Sequence, residues 1–383
     1  MTGSKSAVRR GRGGHYRRIS LIRASTPAVG GKRGQAPRGT FFSGAPTAFG
    51  SEPVPFCRGL VALSLLLGFA GSAGFQEAVA AEVDRVLLIS CDGLRPDAIS
   101  PDRSPVLQGL IDGGSYQGTA LDELPPITLP NHVSMVTGLG TARHGVFLNQ
   151  DLPGRVAATT IFDLARDAGL RVGFFVSKTK LGYLCEEGGA DVWRVVPDVD
   201  GIAAEVIAAV EQDDLQLVFV HFGEPDGAGH RDGWMSDSYL AAVARVDAAI
   251  GRILDAMQAK GTLARAVVMI TADHGGHWNT HFMDIPEDRH IPFIINGYGI
   301  AAGRRLCEQV HVTDAAATAV HQLGLPETWD IDGKPVVEAS SDYVQPTCTP
   351  SPAGLGWLCG SMSLPLLVPL VLFLAWRGRQ RAG

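Results

Sequence analysis

The chain has 383 residues, with 33 Lys and Arg against 39 Asp and Glu, and a formal net charge of −6 at pH 7. This length accommodates one large α/β domain or two ordinary ones, with a sizeable hydrophobic core. The charge is uneven: residues 82–350 alone carry a formal charge near −18, which excludes a general electrostatic footprint for nucleic acid.

The first 81 residues are predicted to be a basic arm followed by a signal peptide. Residues 1–60 hold eleven Lys and Arg against a single acid, Glu52, and this composition does not favour folding. An apolar run at 60–70 follows Arg58, and small residues precede Glu82. This order is typical of a secretory signal. The alternative is a membrane helix, for which the apolar run is short.

Apolar strand-like runs then alternate with helical patterns. Five buried strands are predicted, at 86–90, 172–176, 215–222, 266–271 and 291–295. Helices are predicted at 131–137, 160–168, 202–210, 236–260 and 313–323. The alternation predicts one α/β domain, residues 82–340, with a mainly parallel sheet sandwiched by helices. Ligands of such sheets bind beyond the carboxyl ends of the strands.

Three of the predicted strands lead directly to an Asp. Asp92 follows the first strand, Asp226 and His230 follow the third, and Asp273 with His274 follows the fourth. A single Asp-Gly is a routine turn, but clustered carboxylates repel each other unless cations lie among them. Mixed carboxylate and imidazole ligands favour zinc, with manganese and iron next, over calcium or magnesium.

The segment PPITLPNH, Pro125–His132, holds Thr128 between prolines. One interpretation is ordinary helix punctuation with a threonine cap. The other is a nucleophile, because a threonine hydroxyl at neutral pH needs activation such as metal coordination. The helix predicted at 131–137 would present its N-terminal amides to an anion, and Asn131 is a candidate donor to a phosphoryl oxygen.

Together these segments resemble the alkaline phosphatase superfamily, and within it the type I phosphodiesterase/nucleotide pyrophosphatase family. The resemblance covers residues 86–336 and is carried by four ordered motifs: Asp92-Gly93, Thr128–His132, Glu224–His230 and Asp273–Gly275. It implies an alkaline-phosphatase-like fold and two divalent metal ions. The ligands it implies are Asp92, Thr128, Asp273 and His274 for one ion, and Asp226 and His230 for the other. It further implies that Thr128 attacks phosphorus, that Asn131 stabilises the transferring group, and that water hydrolyses the phosphothreonine.

The resemblance also implies a third ligand for the second ion, a histidine shortly before the strand at 291–295. His281 is preferred because it follows a threonine, while His290 and His277 remain open. Four other histidines of the domain are predicted to be structural: His132, His144, His221 and His311.

The expected reaction is hydrolysis of a small-molecule or lipid-linked phosphate ester, with a phosphodiester or nucleotide pyrophosphate bond preferred. A phosphomonoesterase and a phosphoethanolamine transferase are alternatives. A sulfatase is disfavoured because no Cys-x-Pro-x-Arg motif surrounds Thr128. A catalytically silent module is disfavoured because neither Thr128 nor a ligand is missing. Four side chains are candidates for phosphate recognition or, equally, for a solvated surface: Arg143, Lys178, Lys180 and Tyr183.

The chain is predicted to end in a spacer, 341–353, and a C-terminal segment, 354–383. The nearly uncharged run at 355–376 precedes Arg377, Arg379 and Arg381, as in a membrane span or a sorting signal. The domain is therefore expected in the periplasm or at the cell surface, tethered to the membrane. The six cysteines form no CxxC pattern, and an oxidising compartment would permit a Cys185–Cys307 disulfide.

Overall fold

An eight-stranded sheet flanked by helices is the central feature of the fold. The computed structural model describes residues 83–346 and the backbones of two further strands, at 348–350 and 357–359. In chain order the sheet strands are β1 Arg85–Cys91, β2 Ser115–Leu121, β3 Val172–Val176, β4 Val192–Val195, β5 Leu217–Phe222, β6 Ala266–Thr271, β7 His290–Gly297 and β8 Arg304–Arg305. A separate antiparallel pair consists of β9 Cys348–Pro350 and β10 Trp357–Cys359.

The strand order in the large sheet is β4-β3-β5-β1-β6-β7-β2-β8. The five strands from β4 to β6 are parallel to one another. β7 is antiparallel to both of its neighbours, β6 and β2, while β8 is parallel to β2. The carboxyl ends of β5, β1 and β6 therefore lie side by side in the middle of the sheet, where a ligand site is expected.

Nine α-helices are present among the described residues. They are α1 Pro105–Asp112, α2 Thr128–Thr137, α3 Thr141–His144, α4 Ile161–Asp167, α5 Val199–Gln212, α6 Glu224–Asp232, α7 Asp237–Lys260, α8 Pro286–Arg289 and α9 Asp314–Gln322. Local sequence sets several of their ends. The Ser236 side chain accepts the Tyr239 N–H at the start of α7, and Gly261 ends that helix with φ 77°.

The central strands are buried along nearly their whole length. All residues of β5 and β6 are buried, as are six of the seven in β1. Strands covered on both faces read as continuous apolar runs, which is why these strands could be predicted from the sequence. Four phenylalanine side chains fill the core beside β3 and β5 and are almost inaccessible to solvent: Phe162, Phe174, Phe175 and Phe219.

The predicted α/β class with a mainly parallel sheet is confirmed. The predicted strands coincide with β1, β3, β5, β6 and β7 to within two residues at every end. The strands β2, β4 and β8 were not predicted, and α2 begins at Thr128 rather than at Asn131. Thr128 is thus the first residue of a helix and not part of the loop before it.

The predicted signal peptide and C-terminal apolar segment lie outside the described residues. Within the part of the chain that the structure describes, no helix combines the length and the apolar character needed to span a bilayer.

The Cys185–Cys307 disulfide, which the sequence left open as one possible pairing, is not formed. Cys185 is a free, buried thiol, whereas Cys307 is disulfide-bonded. Cys185 precedes β4 and Cys307 follows β8, and these strands form opposite edges of the sheet. Eight strands about 4.8 Å apart separate the edges by roughly 34 Å, far beyond the ~7 Å between Cα atoms that a disulfide tolerates.

Candidate active site

Three adjacent strand ends deliver the acidic side chains to one place. Asp92 follows β1, Asp273 follows β6, and Asp226 lies in the first turn of α6, directly after β5. The backbone joins two of these positions, because the Asp226 N–H donates to the Asp92 carbonyl at 3.0 Å. The sheet order therefore brings together three carboxylates that are far apart in the sequence.

The carboxylates and two histidines form two overlapping groups with the geometry of metal ligands. One group is Asp92, Asp273 and His274, and the other is Asp226, His274 and His281; within each, the ligand atoms lie within 4.8 Å of one another. Four buried atoms here have no hydrogen-bond partner: Asp92 Oδ1, Asp226 Oδ1, Asp273 Oδ2 and His274 Nε2. Buried polar atoms are rarely left unpaired, so these residues fit a divalent cation.

The three histidines of the site are oriented in the same way. Each Nδ1 lies within hydrogen-bond distance of a backbone carbonyl: His230 with Asn279 at 3.0 Å, His274 with Gly275 at 2.8 Å, and His281 with Pro126 at 2.6 Å. A carbonyl requires a proton on Nδ1, so in the neutral ring the Nε2 lone pair is available as a metal ligand. All three Nε2 atoms lie within 3.7 Å of a carboxylate oxygen of the site.

Burial and neighbouring charges set the protonation of this cluster. Burial lowers the pKa of His281 to about 4 and also lowers the pKa of His274, so both imidazoles are neutral near pH 7. Burial, reinforced by the charge of Asp92, raises the pKa of Asp273 to about 7. Burial acts in the same direction on Asp92, but Lys178 and His221 hold its pKa well below the ordinary value. The neutral imidazoles of His274 and His281 and the ionised carboxylate of Asp92 are therefore in the forms that bind metals, whereas contact with Asp226 raises the pKa of His230.

The structure brings His281, rather than His290 or His277, to the second group. The Nε2 of His281 lies 3.1 Å from that of His230, and its ring stacks on His274 with centroids 3.7 Å apart. The Nδ1 of His277 lies 2.6 Å from a carboxylate oxygen of the buried Asp288. His290 lines a different cavity, together with Arg95, Gly118 and Glu287.

Thr128 lies beside these groups at the start of α2. The His132 Nδ1 lies 2.8 Å from the Thr128 carbonyl and 3.4 Å from a carboxylate oxygen of Asp273. The neighbouring Pro126 contacts His281. The side chain of Thr128 is almost completely buried and makes no hydrogen bond with another described residue. The start of α2 therefore lies beside both groups, with the Thr128 hydroxyl unbonded among the described residues.

Asn131 is not placed as the sequence analysis expected. Its Oδ1 accepts the Glu123 N–H at 2.7 Å, and its Nδ2 donates to the carbonyls of Glu123 and Pro125, each at 3.0 Å. A weaker contact of 3.3 Å reaches Ile127. Both amide hydrogens are used by this backbone, so in this arrangement Asn131 has none to offer a phosphoryl oxygen. It holds the segment before Thr128 in place instead.

Asn149 is a candidate site residue that the sequence analysis missed. Its Oδ1 accepts the Leu129 N–H at 3.0 Å, at the start of α2, and the Lys180 ammonium at 2.8 Å. The Nδ2 group has no protein acceptor among the described residues, so its hydrogens remain available beside Thr128. A lone Asn in a loop carries no local signal, which is why only the tertiary structure reveals it.

Two of the other candidates for phosphate recognition, Lys178 and Arg143, lie in different places. Lys178 lies inside the site, 2.6 Å from carboxylate oxygens of both Asp92 and Asp226. Arg143 lies outside it and pairs with Asp330 and Asp332.

Two of the histidines predicted to be structural support the site carboxylates. The Nε2 of His221 lies 2.9 Å from Asp92 Oδ2, and its Nδ1 lies 2.9 Å from the Ser177 hydroxyl. His132 links Asp273 to the start of α2 and contacts the Ser90 hydroxyl at 2.8 Å. These contacts fix the orientation of the Asp92 and Asp273 carboxylates.

Comparisons with known proteins agree with this architecture. The sequence profile of the family described as type I phosphodiesterase/nucleotide pyrophosphatase matches residues 86–287, more than half of the chain. The chain is 28% identical over 241 residues to ectonucleotide pyrophosphatase/phosphodiesterase family member 7 of Homo sapiens, covering 56% of this chain and 52% of the human protein. It is 25% identical over 291 residues to 2,3-bisphosphoglycerate-independent phosphoglycerate mutase of Nostoc punctiforme, covering 67% of this chain and 52% of that protein. The chain thus spans about half the length of these relatives.

The fold is also similar to solved structures. Murine ectonucleotide pyrophosphatase/phosphodiesterase 5 in complex with AMP superimposes with a TM-score of 0.58, covering 67% of this chain and 100% of that chain. The phosphonate monoester hydrolase of Agrobacterium radiobacter gives a TM-score of 0.53, covering 69% of this chain and 79% of that one. The identities are 15% and 18%, so these matches show a shared fold and nothing finer.

Proposed function

Because the chain belongs to the type I phosphodiesterase/nucleotide pyrophosphatase family, we propose that it is a metal-dependent hydrolase of phosphate esters. Its preferred bonds are phosphodiester or nucleotide pyrophosphate linkages. The observation that carries this proposal is the site chemistry. Three histidines are held by backbone carbonyls at Nδ1, so that Nε2 faces the site. Three carboxylates there each have a buried oxygen without a hydrogen-bond partner. The unbonded hydroxyl of Thr128 belongs to the helix start beside them.

The donor set supports two divalent metal ions, with zinc the best match. Asp92, Asp273 and His274, together with Thr128, would hold one ion. Asp226, His230 and His281 would hold the other. Mixed oxygen and imidazole ligands suit zinc better than calcium or magnesium. When bound, such ions lower the proton affinity of a hydroxyl or water and offset the charge on a phosphoryl group.

The protein residues then have separate tasks. The Thr128 oxygen attacks phosphorus, a new P–O bond forms, and the bond to the leaving alcohol or phosphate breaks. Water subsequently cleaves the phosphothreonine and restores the hydroxyl. The free Nδ2 hydrogens of Asn149 lie where they could donate to a phosphoryl oxygen, because its Oδ1 is fixed by Leu129 and Lys180.

The location of the protein is proposed from the sequence alone. The apolar run at 60–70 and the segment 354–383 support export and a membrane tether at the C-terminus. Both segments lie outside the described residues.

Turnover of two chromogenic esters tests the function. The full chain, loaded with zinc, is assayed on bis(p-nitrophenyl) phosphate and on p-nitrophenyl phosphate. We expect faster turnover of the diester and a loss of at least about 10³-fold in kcat for Thr128→Ala. Thr137→Ala is the matched control, since Thr137 is buried in the same helix but bonds only to the backbone.

Two results would redirect the proposal. A preference for the monoester would identify a phosphatase instead. Equal turnover by Thr128→Ala and the wild type would exclude Thr128 as the nucleophile.

A further inference from the structure

Lys178 lies between the two groups of proposed metal ligands. Its Nζ is 2.6 Å from Asp92 Oδ2 and 2.6 Å from Asp226 Oδ2. Asp92 belongs to the first group and Asp226 to the second. Only 24% of the lysine side chain is exposed. A single, largely buried ammonium therefore contacts one carboxylate of each group.

This ammonium offsets a costly concentration of negative charge. Asp92, Asp226 and Asp273 are all buried, and burial strengthens the repulsion between like charges. The other ion-pair partners of these carboxylates among the described residues are histidines. No Arg or second Lys of the described residues is paired with the three carboxylates, so Lys178 supplies the permanent positive charge there.

The lysine contacts one oxygen of each carboxylate and leaves the other oxygen to a metal. In both Asp92 and Asp226, Oδ2 contacts the lysine while Oδ1 is left without a partner. A positive charge 2.6 Å from one oxygen of a carboxylate lowers the affinity of that carboxylate for any other cation, including a proton or a divalent ion.

We propose that Lys178 is an internal counter-ion that competes with divalent metal for the site carboxylates. It keeps the two groups together in the metal-free protein and weakens the binding of metal to both. The inference rests on the proposed function, because it takes the two groups to be metal sites. Its consequence is that loss of the lysine charge strengthens metal binding while it destabilises the metal-free fold.

Lys180 provides a matched control two residues along the chain, in the short 3₁₀-helix Thr179–Tyr183 that directly follows Lys178. It is also a partly buried lysine, but its ammonium donates to Asn149 Oδ1 and contacts no site carboxylate. Lys178→Met and Lys180→Met each remove one charge and keep a flexible side chain of similar length. A difference between the two variants therefore reports on contact with the carboxylates rather than on net charge.

The test is calorimetric titration of Zn²⁺ into the chelator-stripped full chain, with thermal unfolding of the metal-free proteins. We expect Lys178→Met to bind zinc at least about tenfold more tightly than the wild type, and to unfold at a lower temperature without metal. Lys180→Met is expected to match the wild type in zinc affinity. If Lys178→Met does not fold without metal, Lys178→Gln, which retains a hydrogen-bond donor, undergoes the same titration with the same expectation.

The outcomes separate this inference from the proposed function. Zinc binding by the wild type with equal or weaker binding by the Lys178 variants would overturn the counter-ion role and leave the metal sites intact. A wild-type chain that binds no zinc would overturn the proposed metal dependence itself, and the counter-ion role with it.

Discussion

Asn131 and Asn149 both lie next to the start of α2, but their amide groups are used differently. The side-chain oxygen of Asn131 and both of its N–H hydrogens form hydrogen bonds with the backbone at 123–127. Asn149 uses only its oxygen and keeps its N–H₂ group unbonded. The first residue therefore shapes the segment that presents Thr128, and the second is available to a ligand.

Substitution of the two asparagines should separate stability from catalysis. Asn131→Ala removes several buried hydrogen bonds and is expected to lower the free energy of unfolding by about 2 to 3 kcal/mol. Asn149→Ala is expected to lower kcat on a phosphodiester by about 10²-fold with a much smaller loss of stability. Denaturant unfolding and steady-state kinetics of both variants provide the measurement. The reverse pattern would return the catalytic role to Asn131.

His144 links stability to pH. Burial lowers its pKa to about 4, and its Nδ1 accepts the Val146 N–H at 3.1 Å, which requires the neutral ring. The unfolded chain therefore binds more protons than the folded one between about pH 4 and 6.5, so this contribution to stability is lost as the pH falls through that window.

Replacement of His144 should therefore flatten the acid side of the stability profile. The free energy of unfolding, measured from pH 4 to 7, is expected to vary less in His144→Gln than in the wild type. His321→Gln is the control, since His321 is partly exposed and pairs with Glu327 at the surface. An unchanged pH slope in His144→Gln would contradict the assignment.

At the scale of elements, helix starts depend on both local and distant residues. The starts of α4, α5 and α7 are capped by Thr160, Asp198 and Ser236 within their own sequences. The starts of α4 and α7 were predicted at these residues, whereas α5 was predicted from residue 202 and begins at Val199. The cap of α1 is remote: Ser104 makes no side-chain capping bond, and Asp247 of α7 accepts the N–H groups of Val106 at 3.2 Å and Leu107 at 2.7 Å. No pattern near α1 reveals this carboxylate, and α1 was not predicted.

Loss of this remote cap should weaken the packing of α1 on α7. Asp247→Ala leaves two N–H groups at a buried helix end without an acceptor, and we expect the free energy of unfolding to fall by about 2 kcal/mol. Asp255→Ala, on an exposed position of the same helix, is expected to change it by less than about 0.5 kcal/mol. Chemical unfolding of both variants tests the difference, and equal effects would rule out the cap.

At the scale of the whole molecule, the sheet made much of the site predictable. Parallel strands buried on both faces read as apolar runs, and their carboxyl ends must lie at one edge, so the gathering of the acidic strand ends could be anticipated. β2 was missed because its pattern is mixed and a bulge interrupts it after Gln117. Asn149 escaped for another reason: it reaches the site from a loop, and nothing local marks its distance from Thr128. Lys178 was named as a candidate for phosphate recognition, but its contacts with Asp92 and Asp226 depend on the tertiary structure.

The zinc content of the full chain, measured by mass spectrometry after desalting, shows whether both groups of ligands bind metal. We expect two zinc ions per wild-type chain and a loss from the second group in His281→Ala. His290→Ala, which alters a histidine in a different cavity, should keep the wild-type content. A wild-type chain without zinc would rule out the two metal sites, as would an unchanged zinc content after replacement of both Asp92 and Asp273 by Asn.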